Sequence, residues 1–332
     1  MYGSGERAGA LAALAAGIIW GFLGPFVRGC ASIGITPMQM TCLRYIIVAL
    51  IMAPIMWHGF RGKPTPSRRS AILIAIMAII GISANSTLYF ESMTLISLSM
   101  STVLQYLAPF IVVAVSVPLF GESLTKTKAA AVIVAFLGCV LCANLISDPG
   151  SMDPIGILCG AVSGFCFATY TICSKDLSEN GVSATEILFY GSLVAIAGLA
   201  PFCDLPSAFS TVSADLGNLA LIVALGIFMT LLPFALFNWS LKRIEAGKTS
   251  VITFAEPMTA TALGLILYGE DITLETAAGL AMILIALMLV GREKSKDSLV
   301  RRSQNGYILP GWRRLRSCPW LWSNPLAWLR SA

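Results

Sequence analysis

Residues 89–122 read YFESMTLISLSMSTVLQYLAPFIVVAVSVPLFGE, and residues 254–270 read FAEPMTATALGLILYGE. Each stretch contains an apolar run that begins near a proline and ends in Gly-Glu. Equivalent residues recur along the chain at a spacing of 147 or 148 positions: Gly34 and Gly181, Pro54 and Pro201, Pro109 and Pro257, and Gly121-Glu122 and Gly269-Glu270. A sequence that repeats in this way predicts two copies of one structural unit.

The chain is too apolar for a soluble protein. Hydrophobic residues make up 57% of it and charged residues 12%, and the mean hydropathy is +0.81. A bilayer accepts such a composition, and a helix of about 20 residues, rising about 1.5 Å per residue, crosses its ~30 Å hydrocarbon core. Ten apolar stretches, numbered here as spans one to ten, lie at 8–27, 37–57, 70–90, 96–118, 127–146, 154–174, 184–203, 216–238, 249–268 and 273–291.

The spans divide evenly, five to each copy. Because five is odd, the second copy must enter the membrane from the side opposite to the first. The sequence therefore predicts an all-α integral membrane protein of ten transmembrane helices, arranged as two inverted five-helix repeats at 8–146 and 154–291. Inverted repeats are typical of secondary transporters, whose substrate site lies where the repeats meet. A basic and aromatic tail follows at 297–332, and we expect it in the cytoplasm, either on the inner leaflet or as an extension without function.

Basic residues are distributed very unevenly about the ten spans. If the N-terminus is cytoplasmic, fourteen basic residues ahead of the tail lie in the inner segments, whereas the outer loops hold only Arg28. Cytoplasmic loops of membrane proteins carry such an excess. The distribution predicts a multi-pass protein of the cytoplasmic membrane with both termini in the cytoplasm. The net charge of +5 then reflects orientation in the membrane, and we expect no nucleic-acid partner.

Several other classes of protein are disfavoured by what the sequence lacks. The first apolar stretch has no basic leader and no small-residue cleavage site, so we expect no removable signal peptide. Nine cysteines, mostly inside spans, do not form the pattern of a disulfide framework, and His58 is the only histidine. We therefore expect no metal and no cofactor. An intramembrane enzyme is disfavoured because the sequence has no HExxH, no GxxxxGK[ST] and a single acid near the midplane.

Glu256 is the strongest candidate for a functional residue. It lies eight residues past Lys248, about 12 Å along span nine and therefore near the midplane. A bare charge there costs several kcal/mol, so the carboxyl must face a water-filled cavity, pair with a cation or carry a proton. We expect it to bind a substrate amine or a proton. The alternative is a carboxyl that hydrogen-bonds between helices and stabilises the bundle.

Pro109 in span four and Pro257 in span nine occupy equivalent positions. A proline inside a helix removes the bond to the carbonyl four residues earlier, which here belongs to Gln105 and to Thr253. Each copy therefore frees a backbone acceptor near the bilayer centre. Broken helices at this depth commonly form transporter sites. We expect both prolines to act as hinges and Gln105 to contact the substrate; hinges without substrate contact are the alternative.

Other polar or amphipathic residues inside the spans are candidates for lining a substrate pocket: Trp20, Arg44, Asn85, Tyr89, Tyr106, Asn238 and Trp239. Arg44 lies about one-third of the way into span two, where it could bind a carboxylate, pair with an acid or extend to the outer surface. Asn85 and Tyr89 are four residues apart and share a face of span three. Aromatic belts and interhelical hydrogen bonds are the alternative explanation for such residues.

Small residues follow a regular pattern in the first span of each copy. They are Gly17 and Gly21 in span one, and Gly156, Gly160 and Gly164 in span six. Helices packed in lipid use such residues to bring their backbones close together. The pattern predicts that spans one and six pack tightly against neighbouring helices.

The two quoted stretches, with Trp20-Gly21 in span one and the surroundings of Arg44 in span two, resemble the drug/metabolite transporter superfamily and its EamA-type branch in particular. The resemblance covers residues 8–291. It implies a carrier of small metabolites that works by alternating access, with a cavity between spans one to four and six to nine. The Glu-Pro of span nine is similar to that of amino-acid-exporting members. The sequence departs from the family pattern at the counterpart of Arg44, which is Tyr190 or Gly191, and in the tail.

We therefore expect a secondary transporter of the cytoplasmic membrane that exports amino acids or related small metabolites. Drugs, nucleotide-sugars and lipid-linked groups are alternative substrates, although an anionic sugar phosphate would require several basic residues and Arg44 alone lies well inside the spans. A membrane receptor or scaffold is the alternative outside transport. The expected partners are a small-molecule substrate and the lipid bilayer; proton coupling and a homodimer are left open.

Overall fold

The structure is a computed structural model that describes residues 4–59, 67–143, 145–146, 153–268 and 273–292. Helices of the first copy are α1 (Ser4–Trp20), α2 (Leu23–Ser32), α3 (Pro37–Gly59), α4 (Arg68–Ile76), α5 (Asn85–Leu95), α6 (Leu98–Gln105), α7 (Ala108–Phe120) and α8 (Lys126–Cys142). Those of the second copy are α9 (Pro154–Glu179), α10 (Ala184–Leu199), α11 (Leu205–Ser213), α12 (Leu216–Ala224), α13 (Leu232–Leu241), α14 (Ala246–Ile252), α15 (Ala255–Tyr268) and α16 (Leu274–Arg292). The predicted tail at 297–332 lies outside the described residues.

Within this part of the chain, eight helices are long and apolar enough to cross a membrane. They correspond to predicted spans one to four, six to eight and ten, so the all-α membrane architecture is confirmed. Span five corresponds to α8, which has 17 residues, and span nine is divided between α14 and α15. The count of ten crossings stays a prediction.

The helices of the two copies pack in equivalent ways. Helix α1 of span one contacts α13 of span eight, and the equivalent helix α9 of span six contacts α5 of span three. Likewise α6 of span four packs against α9, and α15 of span nine packs against α1. Helix α3 pairs with its counterpart α10, and α8 with its counterpart α16. Exchanging the copies maps these contacts onto one another, as a two-repeat transporter architecture requires.

Two π-helical segments occupy equivalent positions in spans three and eight. Met77–Ala84 and Leu225–Leu231 begin 148 residues apart. Their apolar composition is that of an ordinary membrane helix, so the sequence pattern does not predict them. Turns of this kind are rare and occur mostly near functional sites. Because a π turn contains an extra residue, it changes the face that Asn85 and Ser86, which follow the first segment, present to the bundle.

Spans one, four and nine are each interrupted by a two-residue turn. The turns lie at Gly21-Phe22, Tyr106-Leu107 and Thr253-Phe254. The second and third come just ahead of Pro109 and Pro257, which lack the N–H groups that a continuous helix would use. The turn in span one likewise comes just ahead of a proline, Pro25, which is the third residue of α2 as Pro257 is the third residue of α15.

Glycines of spans one and six pack against two of these turns. A Cβ atom on Gly17 would lie 3.2 Å from the carbonyl oxygen of Thr253, and one on Gly164 would lie 3.0 Å from that of Gln105. Gly17 and Gly164 are equivalent residues, 147 positions apart, and each faces the interrupted helix of the other copy. The structure thus shows the close backbone approach predicted from the small residues.

Charged side chains from the predicted inner segments meet at one end of the bundle. Their ion pairs are Glu6 with Lys248 at 3.1 Å, Arg69 with Asp176 at 2.9 Å and Lys128 with Glu245 at 2.5 Å. At the opposite end of the bundle, Gln39 in the first turn of α3 donates a hydrogen bond to the carbonyl of Asp204 at 2.9 Å. Both residues lie at the predicted outer ends of their spans. The segments predicted to share a side of the membrane therefore do lie together.

Candidate functional site

A cavity lies between the two copies, beside the interrupted helices. Predicted residues that line it are Trp20, Arg44, Asn85, Tyr89, Gln105, Tyr106, Pro109 and Glu256. The remaining lining residues are Leu23, Ser86, Phe90, Ala108, Phe167, Phe234 and Thr253. The cavity offers about 60 Å³ to the centres of water molecules, which is room for several waters. Most of the predicted site is therefore assembled around one space.

Three predicted residues lie outside the cavity lining. Trp239 is 36% exposed, and its ring faces the guanidinium of Arg243, whose Cζ lies 3.2 Å from the ring centroid. Pro257 is buried behind the turn in span nine without lining the cavity. Asn238, which precedes Trp239 in the chain, is buried in the bundle, and its Nδ2 donates to the hydroxyl of Tyr170 at 2.7 Å.

The carboxyl of Glu256 lies in the cavity wall directly after the turn in span nine. Its Oε2 is 2.9 Å from Oη of Tyr106. The same hydroxyl is 2.9 Å from the carbonyl oxygen of Thr253, which also accepts a hydrogen bond from the backbone N–H of Glu256 at 2.9 Å. Among the described residues, no basic side chain forms an ion pair with Glu256.

Arg44 supplies the positive charge of the cavity. The residue is only 5% exposed, so its side chain does not extend to the outer surface. Its Nη2 donates to Oγ of Ser86 at 2.5 Å, and its Cζ lies 5.1 Å from the ring centroid of Tyr45 and 5.6 Å from that of Phe90. These rings favour a cation. The Nε of Arg44 is buried and has no hydrogen-bond partner in the described part of the chain, so one donor of this charged group is left unsatisfied.

Aromatic rings form another wall. Trp20 packs edge-on against Phe234, with ring centroids 5.1 Å apart, and against Phe167 at 6.0 Å. Such surfaces accept the apolar part of a ligand. The sequence pattern did not single out Phe167 or Phe234. The repeat spacing contains a signal for Phe167, since this residue is the counterpart of Trp20, 147 positions on.

Amides and hydroxyls from spans three and four complete the lining. Nε2 of Gln105 lies 3.4 Å from Oδ1 of Asn85, and the hydroxyl of Tyr89 lies 3.0 Å from Oγ1 of Thr102. These contacts join spans three and four, as the alternative explanation of such residues by interhelical hydrogen bonds predicts. They also place the polar groups of Asn85, Tyr89 and Gln105 at the cavity, where a ligand can exchange partners with them.

The charged groups are distributed unequally between the copies. Arg44 belongs to the first copy, and the residue 147 positions on is Gly191. Glu256 belongs to the second, and the residue 148 positions before it is Ala108. A fold that is nearly symmetric therefore surrounds a cavity lined by one basic side chain from the first copy and one acidic side chain from the second.

The cavity offers charged and hydrogen-bonding groups that can bind a ligand. Glu256 is the one carboxyl among its described lining residues, and two-carboxylate chemistry needs a second. No three His, Cys, Asp or Glu side chains come together as a metal site in the part of the chain that the structure describes. Charge and hydrogen bonds from Arg44, Glu256 and nearby amides can instead orient a small polar molecule.

Comparison with known proteins finds the same fold and a family of carriers. The sequence model of the EamA-like transporter family matches residues 7–143 and again residues 154–292, once on each copy. An "uncharacterized transporter" of Archaeoglobus fulgidus is 30% identical over 263 residues, which covers 78% of this chain and 90% of that protein. The "uncharacterized inner membrane transporter YicL" of Salmonella typhimurium is 24% identical over 305 residues, which covers 87% of this chain and 97% of that protein. A protein of known crystal structure has a TM-score of 0.69 and 20% identity over 90% of this chain and 99% of its own, so the two share a fold.

Proposed function

This chain belongs to the EamA-like transporter family, and we propose that it exports amino acids or related zwitterionic metabolites through the cytoplasmic membrane. The relatives are named as transporters, and one of them as an inner membrane protein. The excess of basic residues in the inner segments supports a cytoplasmic location of both termini.

The observation that carries this proposal is that Arg44 and Glu256 line one cavity from opposite copies. An amino acid has a carboxylate and an ammonium group, and each needs a partner when it leaves water. Arg44 has a free charged donor for the carboxylate, and Glu256 provides an acceptor for the ammonium. The rings of Trp20, Phe167 and Phe234 then contact an apolar side chain of the substrate.

Two other substrate classes fit the cavity less well. A sugar phosphate or a nucleotide-sugar carries several negative charges, whereas Arg44 is the one basic residue among the described lining residues. A cationic drug could use Glu256 and the aromatic rings, but it would leave Nε of Arg44 buried without a partner. A zwitterion satisfies both groups.

We infer that transport proceeds by alternating access. The two copies would rock about the central cavity, with the chain bending at the turns ahead of Pro109 and Pro257. Both turns adjoin the cavity, since Tyr106 and Thr253 line it. Bending at these turns would open the cavity toward one end of the bundle and close it toward the other.

Counterflow in proteoliposomes tests the proposal, with a panel of radiolabelled amino acids, sugars and organic cations. Wild-type protein should accumulate one group of amino acids, and the variants Glu256→Gln and Arg44→Gln should lose this accumulation while folding normally. Glu91→Gln is the matched control, because Glu91 is exposed and lies outside the cavity. No exchange of any amino acid by folded, inserted protein would refute the substrate class, and unchanged exchange in Glu256→Gln would refute the role of that carboxyl. Faster loss of the same amino acid from loaded cells that express the protein checks the direction.

A further inference from the structure

Tyr106 makes two short contacts through a single hydroxyl group. Its Oη lies 2.9 Å from the carbonyl oxygen of Thr253 and 2.9 Å from Oε2 of Glu256. A tyrosine hydroxyl has one hydrogen to donate, and a carbonyl oxygen has none. If the hydroxyl donates to Thr253, its contact with Glu256 is a hydrogen bond only when the carboxyl carries a proton and donates it to Tyr106. Neutral Glu256 is therefore the form that satisfies both contacts.

Among the residues that the structure describes, no basic side chain forms an ion pair with Glu256 in place of this proton. The titratable groups that face it are the hydroxyls of Tyr106 and Tyr89, from spans four and three, and the thiol of Cys139, from span five. Arg44 lines the same cavity from span two, but the two residues form no ion pair in the described structure. Helix α1 packs glycines against this part of span nine. An ionised carboxylate in such a wall costs several kcal/mol, and a neutral carboxyl avoids this cost.

We propose that Glu256 is a proton-binding site, which holds a proton in the substrate-free cavity and releases it when a substrate ammonium group binds. The identity of the displacing cation rests on the proposed function. In this exchange the O–H bond of the carboxyl breaks, the proton passes to water in the cavity, and the carboxylate pairs with the ammonium group. No electrons are transferred, and each bound ammonium displaces one proton. Export of the substrate is thereby coupled to proton entry.

The same exchange changes a contact between the two copies. Tyr106 and Thr253 lie at the turns that interrupt spans four and nine, one in each copy. When Glu256 ionises, the hydroxyl of Tyr106 turns to donate to the carboxylate, and the carbonyl of Thr253 loses that donor. Tyr106 joins span four to span nine in both states, and the protonation state of Glu256 decides whether its hydroxyl donates to the backbone of the turn or to the side chain that follows it.

Infrared difference spectroscopy of the purified full chain, in lipid vesicles without substrate at neutral pH, tests the proton site directly. The difference between wild type and Glu256→Gln should contain the C=O stretching band of a protonated carboxyl. The difference between wild type and Glu91→Gln should not contain it. In Tyr106→Phe the band should persist but move to higher frequency, because the carboxyl proton has lost its acceptor.

Absence of the band from wild type would overturn the inference, and so would a band that does not move in Tyr106→Phe. If Glu256→Gln does not fold, the shift in Tyr106→Phe decides alone. The result can be told apart from that of the transport assay. If the protein exchanges an amino acid but lacks the band, Glu256 is not a proton-binding site. If the band is present but no amino acid is exchanged, the proposed substrate class is wrong. Saturation with an amino acid identified by counterflow should release one proton per protein molecule in weak buffer, and none from Glu256→Gln.

Discussion

The ammonium group of Lys128 lies 2.5 Å from the carboxylate of Glu245, and both side chains are buried. Lys128 is at the start of span five in the first copy, and Glu245 comes just before α14, the first part of span nine in the second. Lys128 also donates to the carbonyl of Ser123 at 3.0 Å and lies 3.8 Å from the carboxylate of Glu122. The copies are therefore joined at the predicted inner end by charges shielded from water.

We predict that Lys128→Met lowers the free energy of unfolding by about 3–5 kcal/mol, because it leaves the buried carboxylate of Glu245 without its partner. The double variant Lys128→Met/Glu245→Gln should recover a large part of this loss. Unfolding in detergent, followed for both single variants and the double variant, measures the coupling.

A more exposed ion pair provides the control for this prediction. Glu179 lies 3.7 Å from Lys175, and its side chain is 24% exposed. Glu179→Gln should cost less than about 1 kcal/mol, because solvent screens such a pair. A loss in Lys128→Met no larger than that in Glu179→Gln would show that the buried pair does not hold the inner end together.

The stability of this cluster should also depend on pH through Glu122. Its carboxylate accepts hydrogen bonds from the backbone N–H groups of Ala246 at 2.6 Å and Gly247 at 3.1 Å, at the start of α14. Burial raises the pKa of Glu122 above its ordinary value, although the ammonium groups of Lys175 and Lys128 act in the opposite direction. The folded chain therefore holds this proton more tightly than the unfolded chain does.

The contribution of Glu122 to the free energy of unfolding should therefore decrease as the pH rises. The decrease should begin near pH ~4.3, the ordinary pKa of a glutamate, and end above the raised pKa that Glu122 has in the folded protein. Glu122→Gln removes this titration. Unfolding of both proteins over a series of pH values should show wild type losing stability relative to the variant as the pH increases. Two parallel profiles would contradict the prediction.

Gly164 should not tolerate even one added methyl group. A Cβ atom there would lie 2.9 Å from the carbonyl oxygen of Leu104 and 3.0 Å from that of Gln105, and backbone atoms cannot easily move aside. We predict that Gly164→Ala destabilises the protein by about 1–3 kcal/mol. Gly198→Ala, in α10, is the control: its Cβ would meet nothing within 4 Å, so the change should be neutral or stabilise by roughly 0.5–1 kcal/mol. Equal melting temperatures for the two variants would argue against tight packing at the turn of span four.

Arg44 should act on the carboxylate of the substrate. We predict that Arg44→Gln raises KM for the transported amino acid roughly 10–100-fold, because a hydrogen bond to a charged group contributes about 1.5–3 kcal/mol. Arg44→Lys should recover only part of this loss, since lysine keeps the charge but not the planar fork of donors.

The decarboxylated amine of the same amino acid provides the control for Arg44. It lacks the group that Arg44 would bind and leaves the guanidinium without a partner, so Arg44→Gln should not raise KM for the amine and should lower it if anything. If Arg44→Gln raised KM equally for the amine and the amino acid, the residue would be shaping the cavity rather than binding the carboxylate.

The membrane architecture and several residues that line the cavity could be predicted from the linear chain. Apolar composition and the 147- or 148-residue spacing do not depend on how the helices pack. A carboxyl such as that of Glu256, or a proline such as Pro109, is exceptional in a long apolar run whatever the orientation of the helix. These residues therefore stand out without any knowledge of their neighbours.

Other parts of the site depend on how the two copies pack against each other. In a bilayer the lipid-facing side and the interior of the bundle are both apolar, so helical periodicity does not identify the inward face of a span. For this reason Trp239 was predicted at the site, whereas Phe167 and Phe234 were not. The contact of Tyr106 with both Thr253 and Glu256 joins residues about 150 positions apart. No pattern within a single span predicts a contact between residues so far apart in the chain. It arises because close packing at small residues brings the interrupted helices of the two copies within hydrogen-bonding distance.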